Sequence, residues 1–207
     1  MSHKVDTGEH PLDLLRRIGD IGAMRATASL SALAGKPFEN SYAKVRILPV
    51  EEVPALFGDP EETIAAVIFS VGGEITGQFI AVFPIEDALE LVGALTGSER
   101  SLDALGDMQL SALAEVGNIL ASSYLGALER TTGLELAPSP PVTAVDMAAG
   151  ILTTVVLPMH EAGSEILLIE ARFGGGEREL EGRMILLPST LSLPRLLRSA
   201  GDTGKDG

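Results

Sequence analysis

Ser111, Glu115 and Asn118 stand at positions i, i+4 and i+7 of a stretch with helical periodicity. At about 100° per residue, that spacing gathers a hydroxyl, a carboxylate and a carboxamide into one narrow arc, pointing together at whatever docks there. The carboxamide can donate to or accept from water without carrying charge. Taken alone the stripe says little, because polar residues on the outer face of an amphipathic helix are ordinarily just solvated. Ser111 has no His base in a recognisable pattern, so it is read as supporting the face and not as a nucleophile.

Other chemistries find no footing. The chain has no Cys, which removes disulfides, thiolate metal sites and a Cys nucleophile, and its three histidines (His3, His10, His160) are isolated, so no metal site is expected. There is no G-x-S-x-G, Walker-type loop or dinucleotide fingerprint. The glycines at 72 to 77 and 174 to 176 fall between strand-like runs and read as hairpin turns. A net charge of -14, from 29 acidic against 15 basic residues, opposes nucleic acid and anionic lipid. Aromatic content of 4% without Trp offers no base-stacking platform. No apolar run approaches the ~18 residues of a membrane span, and the polar start argues against a secretory signal. The expected location is cytoplasmic.

The stripe needs a helix to hold it, and Leu113, Val116, Gly117, Leu120 and Tyr124 supply one apolar face. The same helix occurs earlier in the chain. With Asp13 set on Ser111, a shift of 98 residues, the segments 13–35 and 111–133 align without a gap, with identities at Leu15/Leu113, Gly19/Gly117, Ile21/Ile119, Ala23/Ala121, Leu30/Leu128 and Gly35/Gly133. Helices are expected over about 12 to 34 and 108 to 132, each closed by its glycine. Strand-like runs follow each helix: 42–48, 63–71 and 78–83 after the first, then 143–147, 151–158, 165–173 and 182–187 after the second. Phe83-Pro84 and Leu187-Pro188 match at a shift of 104, each before an amphipathic stretch, 85–95 and 190–200.

The expected fold is therefore α+β, a duplicated helix-plus-strands unit with pseudo-twofold symmetry, its long helices packed on a mainly antiparallel sheet. A single domain over 11–200 would consist of repeats at about 11–97 and 106–200, with flexible tails at 1–10 and 201–207.

The Ser111-x3-Glu115-x2-Asn118 motif, the interval of 22 residues to Pro141 and the duplication together resemble the CheC family of phosphatases, with its relatives CheX and FliY, over nearly the whole chain. The resemblance implies hydrolysis of the aspartyl phosphate of the chemotaxis response regulator CheY. It implies that Glu115 pairs with a lysine of the receiver while Asn118 enters the receiver's active site and orients the attacking water. Magnesium would belong to the receiver, and no cofactor to this chain. Ser111 and Pro141 are supporting positions, Pro141 as a shape determinant of the loop after the helix.

The first copy departs from the motif. Asp13 keeps its first position, but Arg17 replaces the Glu, Asp20 replaces the Asn, and Ala43 stands where the Pro would fall. Arg17 would repel a receiver lysine, and Asp20 would set a carboxylate against a phosphoryl dianion, so one active face per chain is expected. The rival reading is a non-catalytic chemotaxis adaptor that binds CheY or the receptor deamidase CheD.

Overall fold

The two periodic segments form long helices of nearly the expected extent. The computed structural model describes residues 11–35, 37–53, 55, 59–97, 106–156, 165–174, 179–189 and 191–203. In chain order the elements are α1 (Pro11–Ala34), β1 (Glu39–Pro49), β2 (Thr63–Gly73), β3 (Gly77–Pro84), α2 (Ile85–Thr96), α3 (Asp107–Thr132), β4 (Leu136–Pro138), β5 (Val142–Met147), α4 (Ala148–Ile151), β6 (Glu165–Gly174), β7 (Glu179–Pro188) and α5 (Ser192–Thr203). Gly35 and Gly133 follow α1 and α3 with φ of 63° and 71°, the left-handed backbone that ends a helix at low steric cost.

The seven strands make one sheet in the order β1-β6-β7-β3-β2, with β4 and β5 end to end along the outer edge of β2. Every ladder among the described residues is antiparallel. Copies are exchanged across the sheet: first-copy β1 pairs second-copy β6, and first-copy β2 pairs second-copy β5. The order reads the same from either edge when the copies are swapped, with β7 and β3 at the centre. The α+β class, the antiparallel sheet and the twofold-like arrangement are as expected.

Both faces of the sheet are covered, which explains its near-continuous apolar strands. Ala65, Val67 and Phe69 of β2 and Phe79, Ala81 and Phe83 of β3 face the cluster formed with α1, α2, α3 and α5. Phe69 and Phe79 are cross-strand partners with ring centroids 6.2 Å apart, edge to face. Ile64, Ala66, Ile80 and Val82 face the other way, under Val50, Val53, Ala148, Ile151 and Val155. The helix layer is tight: a Cβ on Gly19 would lie 2.5 Å from Val45 Cγ2 of β1, and one on Gly117 would collide with Val67 of β2. These two glycines are matched in the repeat, and each seats its helix on the strand beneath.

Three expectations need correction. The run 151–158 is not a strand where it is described: α4 continues into a π-helical turn at Leu152–Val156. There the Thr153 and Thr154 hydroxyls donate to the carbonyls of Ala149 and Gly150 at 2.6 and 2.9 Å. Its β-branched composition suits a strand, but Ile151 and Val155 are needed as a lid on the second face, the layer that the 3-10 turn at Val50–Glu52 also helps to cover. The Phe83/Leu187 match is out of phase, because Phe83 faces the helices and Leu187 the opposite layer. A shift of one residue reverses the face of a strand, and it is Leu186 that shares the side of Phe83. Finally, α5 runs to Thr203, past the expected boundary at 200. Residues 1–10, 204–207 and the expected turn at 175–176 lie outside the described residues.

Candidate functional site

The face that carries the motif is fixed by what lies behind it. On α3, Leu113, Val116, Gly117, Leu120 and Tyr124 are buried, while Ser111, Glu115 and Ser122 are exposed and Asn118 is half-buried. The helix starts at Gly106, whose N–H donates to Gln109 Oε1 at 3.2 Å, and stops where the Gly133 N–H donates to the Glu129 carbonyl at 2.8 Å. On α1 the buried side is Leu14, Leu15, Ile18, Ala23, Ala26 and Leu30.

The two helices pack directly on each other. Gly22 of α1 receives the Tyr124 ring of α3, and a Cβ there would come within 2.5 Å of Tyr124 Cδ1. Further along α1, Arg25, Ala28 and Ser29 face Glu115, Asn118, Ile119 and Ser122, so residues later in α1 meet residues earlier in α3. The pair is therefore antiparallel, as a twofold axis across two matched helices requires. Met24 and Ser122, which are matched in the repeat, sit near that axis.

Between the helices lies an open groove of about 510 Å³. Arg25 and Ser29 form one polar wall, Glu115, Asn118 and Ser122 the other, and Ala28 and Ile119 add apolar contact. None of the Arg25 guanidinium, the Glu115 carboxylate and the Asn118 carboxamide is hydrogen-bonded or ion-paired within the described residues, so all three are available to a partner. They supply one positive group, one negative group and one neutral donor-acceptor. Among the described residues, no three His, Asp or Glu side chains are grouped as metal ligands would be.

The structure thus brings Glu115 and Asn118 to one groove, while the other expected positions lie outside its lining. Ser111 is exposed on the first turns of α3. Pro141 is half-buried in the break between β4 and β5, where Ser139 N–H donates to the Ser70 carbonyl at 2.8 Å and the Ser70 N–H to Ser139 Oγ at 3.0 Å. Pairing shifts by one residue across this break, from Val71↔Pro138 to Ile68↔Val142. Prolines fit there because an edge strand needs no donor on its outer side. Asp13, Arg17 and Asp20 are exposed on α1, with Asp13 ion-paired to Arg16 at 3.0 Å. The side chain of Ala43 is outside the described set.

Tyr124 closes the floor between the helices. Burial pushes its phenol well above the ordinary value of 10.0, and the nearby Asp20 carboxylate adds to the rise. Its hydroxyl has no hydrogen-bond partner within the described residues. Arg25 and Ser29 were not among the expected site residues. Their spacing of one helical turn marks them as a pair on one flank of α1, but only the packing of α1 on α3 brings that flank to the motif.

Fold and groove define a duplicated α+β protein whose polar functional groups converge from a pair of matched helices. The model of the CheC-like family matches residues 108–145, a span that contains Ser111, Glu115, Asn118 and Pro141. The CheY-P phosphatase CheC of Bacillus subtilis is 28% identical over 198 residues, covering 93% of this chain and 95% of that protein. Among solved structures, Thermotoga maritima FliY has a TM-score of 0.76 at 16% identity, covering 96% of this chain and 100% of that one. A chain of the Borrelia burgdorferi CheX-CheY-BeF3-Mg complex has a TM-score of 0.51 at 19% identity, covering 81% and 96%. The chain thus resembles the CheC-like family at the motif-bearing helix and a CheC protein over nearly its whole length, and it shares the fold of FliY.

Proposed function

We propose that this chain is a phosphatase that hydrolyses the aspartyl phosphate of a CheY-type receiver, with Glu115 and Asn118 as its catalytic pair. The observation that carries the reading is that both side chains line one open groove with their polar groups unengaged. The Bacillus subtilis relative, a CheY-P phosphatase by name and similar over nearly its whole length, supports the same reading.

In the proposed complex, the Glu115 carboxylate pairs with a receiver lysine and fixes the docking register. The Asn118 carboxamide reaches the phosphorylated aspartate and orients water in line with the acyl oxygen. The water oxygen bonds to phosphorus as the bond from phosphorus to the acyl oxygen breaks. This returns the aspartate carboxylate and inorganic phosphate and releases one proton to solvent. No strong base is needed, because phosphoryl transfer depends mainly on positioning and charge neutralisation. An uncharged amide positions water without repelling the dianion. Magnesium in this scheme is held by the receiver. The chain acts as one domain of two repeats, in the cytoplasm where such a receiver works.

The test is phosphate release from a phosphorylated CheY-type receiver. Wild type should shorten the phosphate lifetime, and Asn118→Ala should lose on the order of a hundredfold in kcat, the scale of removing a group that orients the reaction. Activity of Asn118→Ala near wild type would sink the assignment. An unchanged lifetime with retained binding of the receiver, or of CheD, would make the chain an adaptor.

A further inference from the structure

Resting on that reading, we propose that Arg25 is a third substrate-binding residue, contributed by the first copy to the site of the second. Arg25 stands on α1 across the groove from Glu115 and Asn118. Its guanidinium is exposed and engages no carboxylate among the described residues, in a chain with 29 acidic side chains and a net charge of -14. The guanidinium is therefore open to a group outside the chain.

Among the described residues, Arg25 and Glu115 are the only ionised side chains lining the groove, and their charges cancel. Without Arg25 the groove would present a lone carboxylate to a phosphoryl dianion, and Coulomb repulsion would oppose the approach that Asn118 needs. With Arg25 in place, the two walls match a partner that carries both signs. Glu115 takes the cation, Arg25 an oxyanion, and Asn118 lies between chemistry of either sign. The oxyanion is the phosphoryl group or a carboxylate beside it. Guanidinium suits either, since its fork donates two parallel hydrogen bonds to paired oxygens.

The twofold relation explains why only one such site forms. The residue matched to Arg25 in the second copy is Ser123, which is buried and carries no charge. The end of the helix pair with Arg17 and Asp20 therefore lacks a cation in the matched place as well as the motif itself. The first copy is not silent: it has lost its own motif and supplies the anion-binding wall of its neighbour's.

The experiment is steady-state dephosphorylation of a phosphorylated CheY-type receiver by the full chain, with wild type, Arg25→Ala, Arg25→Lys and Asn118→Ala compared. Arg25→Ala should raise KM about tenfold to hundredfold, as expected for losing a charge-assisted contact, with kcat within a few-fold of wild type. Arg25→Lys should recover part of the loss, and the salt dependence of kcat/KM should flatten in Arg25→Ala. Binding of the unphosphorylated receiver separates the two oxyanions: weakened equally, the contact is a receiver carboxylate; unchanged, it is the phosphoryl group. An active wild type, an inactive Asn118→Ala and a kcat/KM for Arg25→Ala within twofold of wild type would overturn the role of Arg25 alone. A wild type that leaves phosphate lifetime unchanged would overturn the phosphatase reading and this inference together.

Discussion

At the scale of single residues, half of the candidate site could be read directly from the chain. Glu115 and Asn118 lie on one helix, where the 3.6-residue period alone decides that they share a face. Arg25 could not be found that way, because its place beside them depends on which helix packs on which, and in which direction. Tyr124 shows the same limit: it reads as one more apolar-stripe residue, yet its hydroxyl ends buried, close to Asp20 and without a hydrogen-bond partner among the described residues. That burial has a measurable consequence. The folded-state pKa is raised, so folding favours the neutral phenol; this contribution is intact below the unfolded value of 10.0 and is lost progressively as the pH rises beyond it. Tyr124→Phe should cost less than about 1 kcal/mol at pH 7, since no hydrogen bond is removed. Above pH 10 the variant should escape a decline of about 1.4 kcal/mol per pH unit that wild type suffers. Urea unfolding of both proteins across pH 8 to 11 checks this, and parallel pH profiles would contradict it.

Individual elements were legible where one periodicity dominated and failed where position in the fold outweighed propensity. The helices α1, α2 and α3 and the hairpin strands β2 and β3 have bounds close to those expected, because each has one clear buried face. The run Ile-Leu-Thr-Thr-Val-Val at 151–156 has strand composition and forms helical turns, because the second face of the sheet requires a cover. The short strand β4 was missed, as three residues ending in Pro give no alternation to detect. Gly117 ties α3 to the sheet, and the cost of replacing it can be predicted. Gly117→Ala should gain local helix propensity but drive its methyl into Val67, for a net destabilisation of about 1–3 kcal/mol. Val67→Ala, which removes both γ-methyls but leaves a Cβ 2.7 Å from the added one, should relieve part of the penalty in the double variant, giving a favourable coupling of at least about 0.5 kcal/mol. Strictly additive effects in urea unfolding would show that the helix does not rest on Val67 as described.

The whole molecule raises the question of whether two copies of one unit behave as two units. Similarity at a constant shift of 98 residues revealed the duplication, but it could not reveal that the copies exchange strands. β1 is paired to β6 over ten positions and β2 to β5 over six, while β3 and β7 join the copies at the centre. Each copy thus completes its sheet with strands of the other. The helix-side core is shared in the same way, with α1 and α3 both packed into one cluster above strands of both copies. Separating the copies would expose that cluster and unpair four ladders, β1 with β6, β2 with β4, β2 with β5 and β3 with β7, so neither half retains a closed core by itself. Thermal unfolding of the intact chain should therefore be one cooperative transition, with calorimetric and van't Hoff enthalpies equal within error. Gly19→Ala, which overpacks α1 against Val45 of the first copy, should lower that single transition without splitting it. Two resolved transitions, or a Gly19→Ala protein whose first copy melts while the second stays folded, would mean that the copies are joined more weakly than the strand exchange implies.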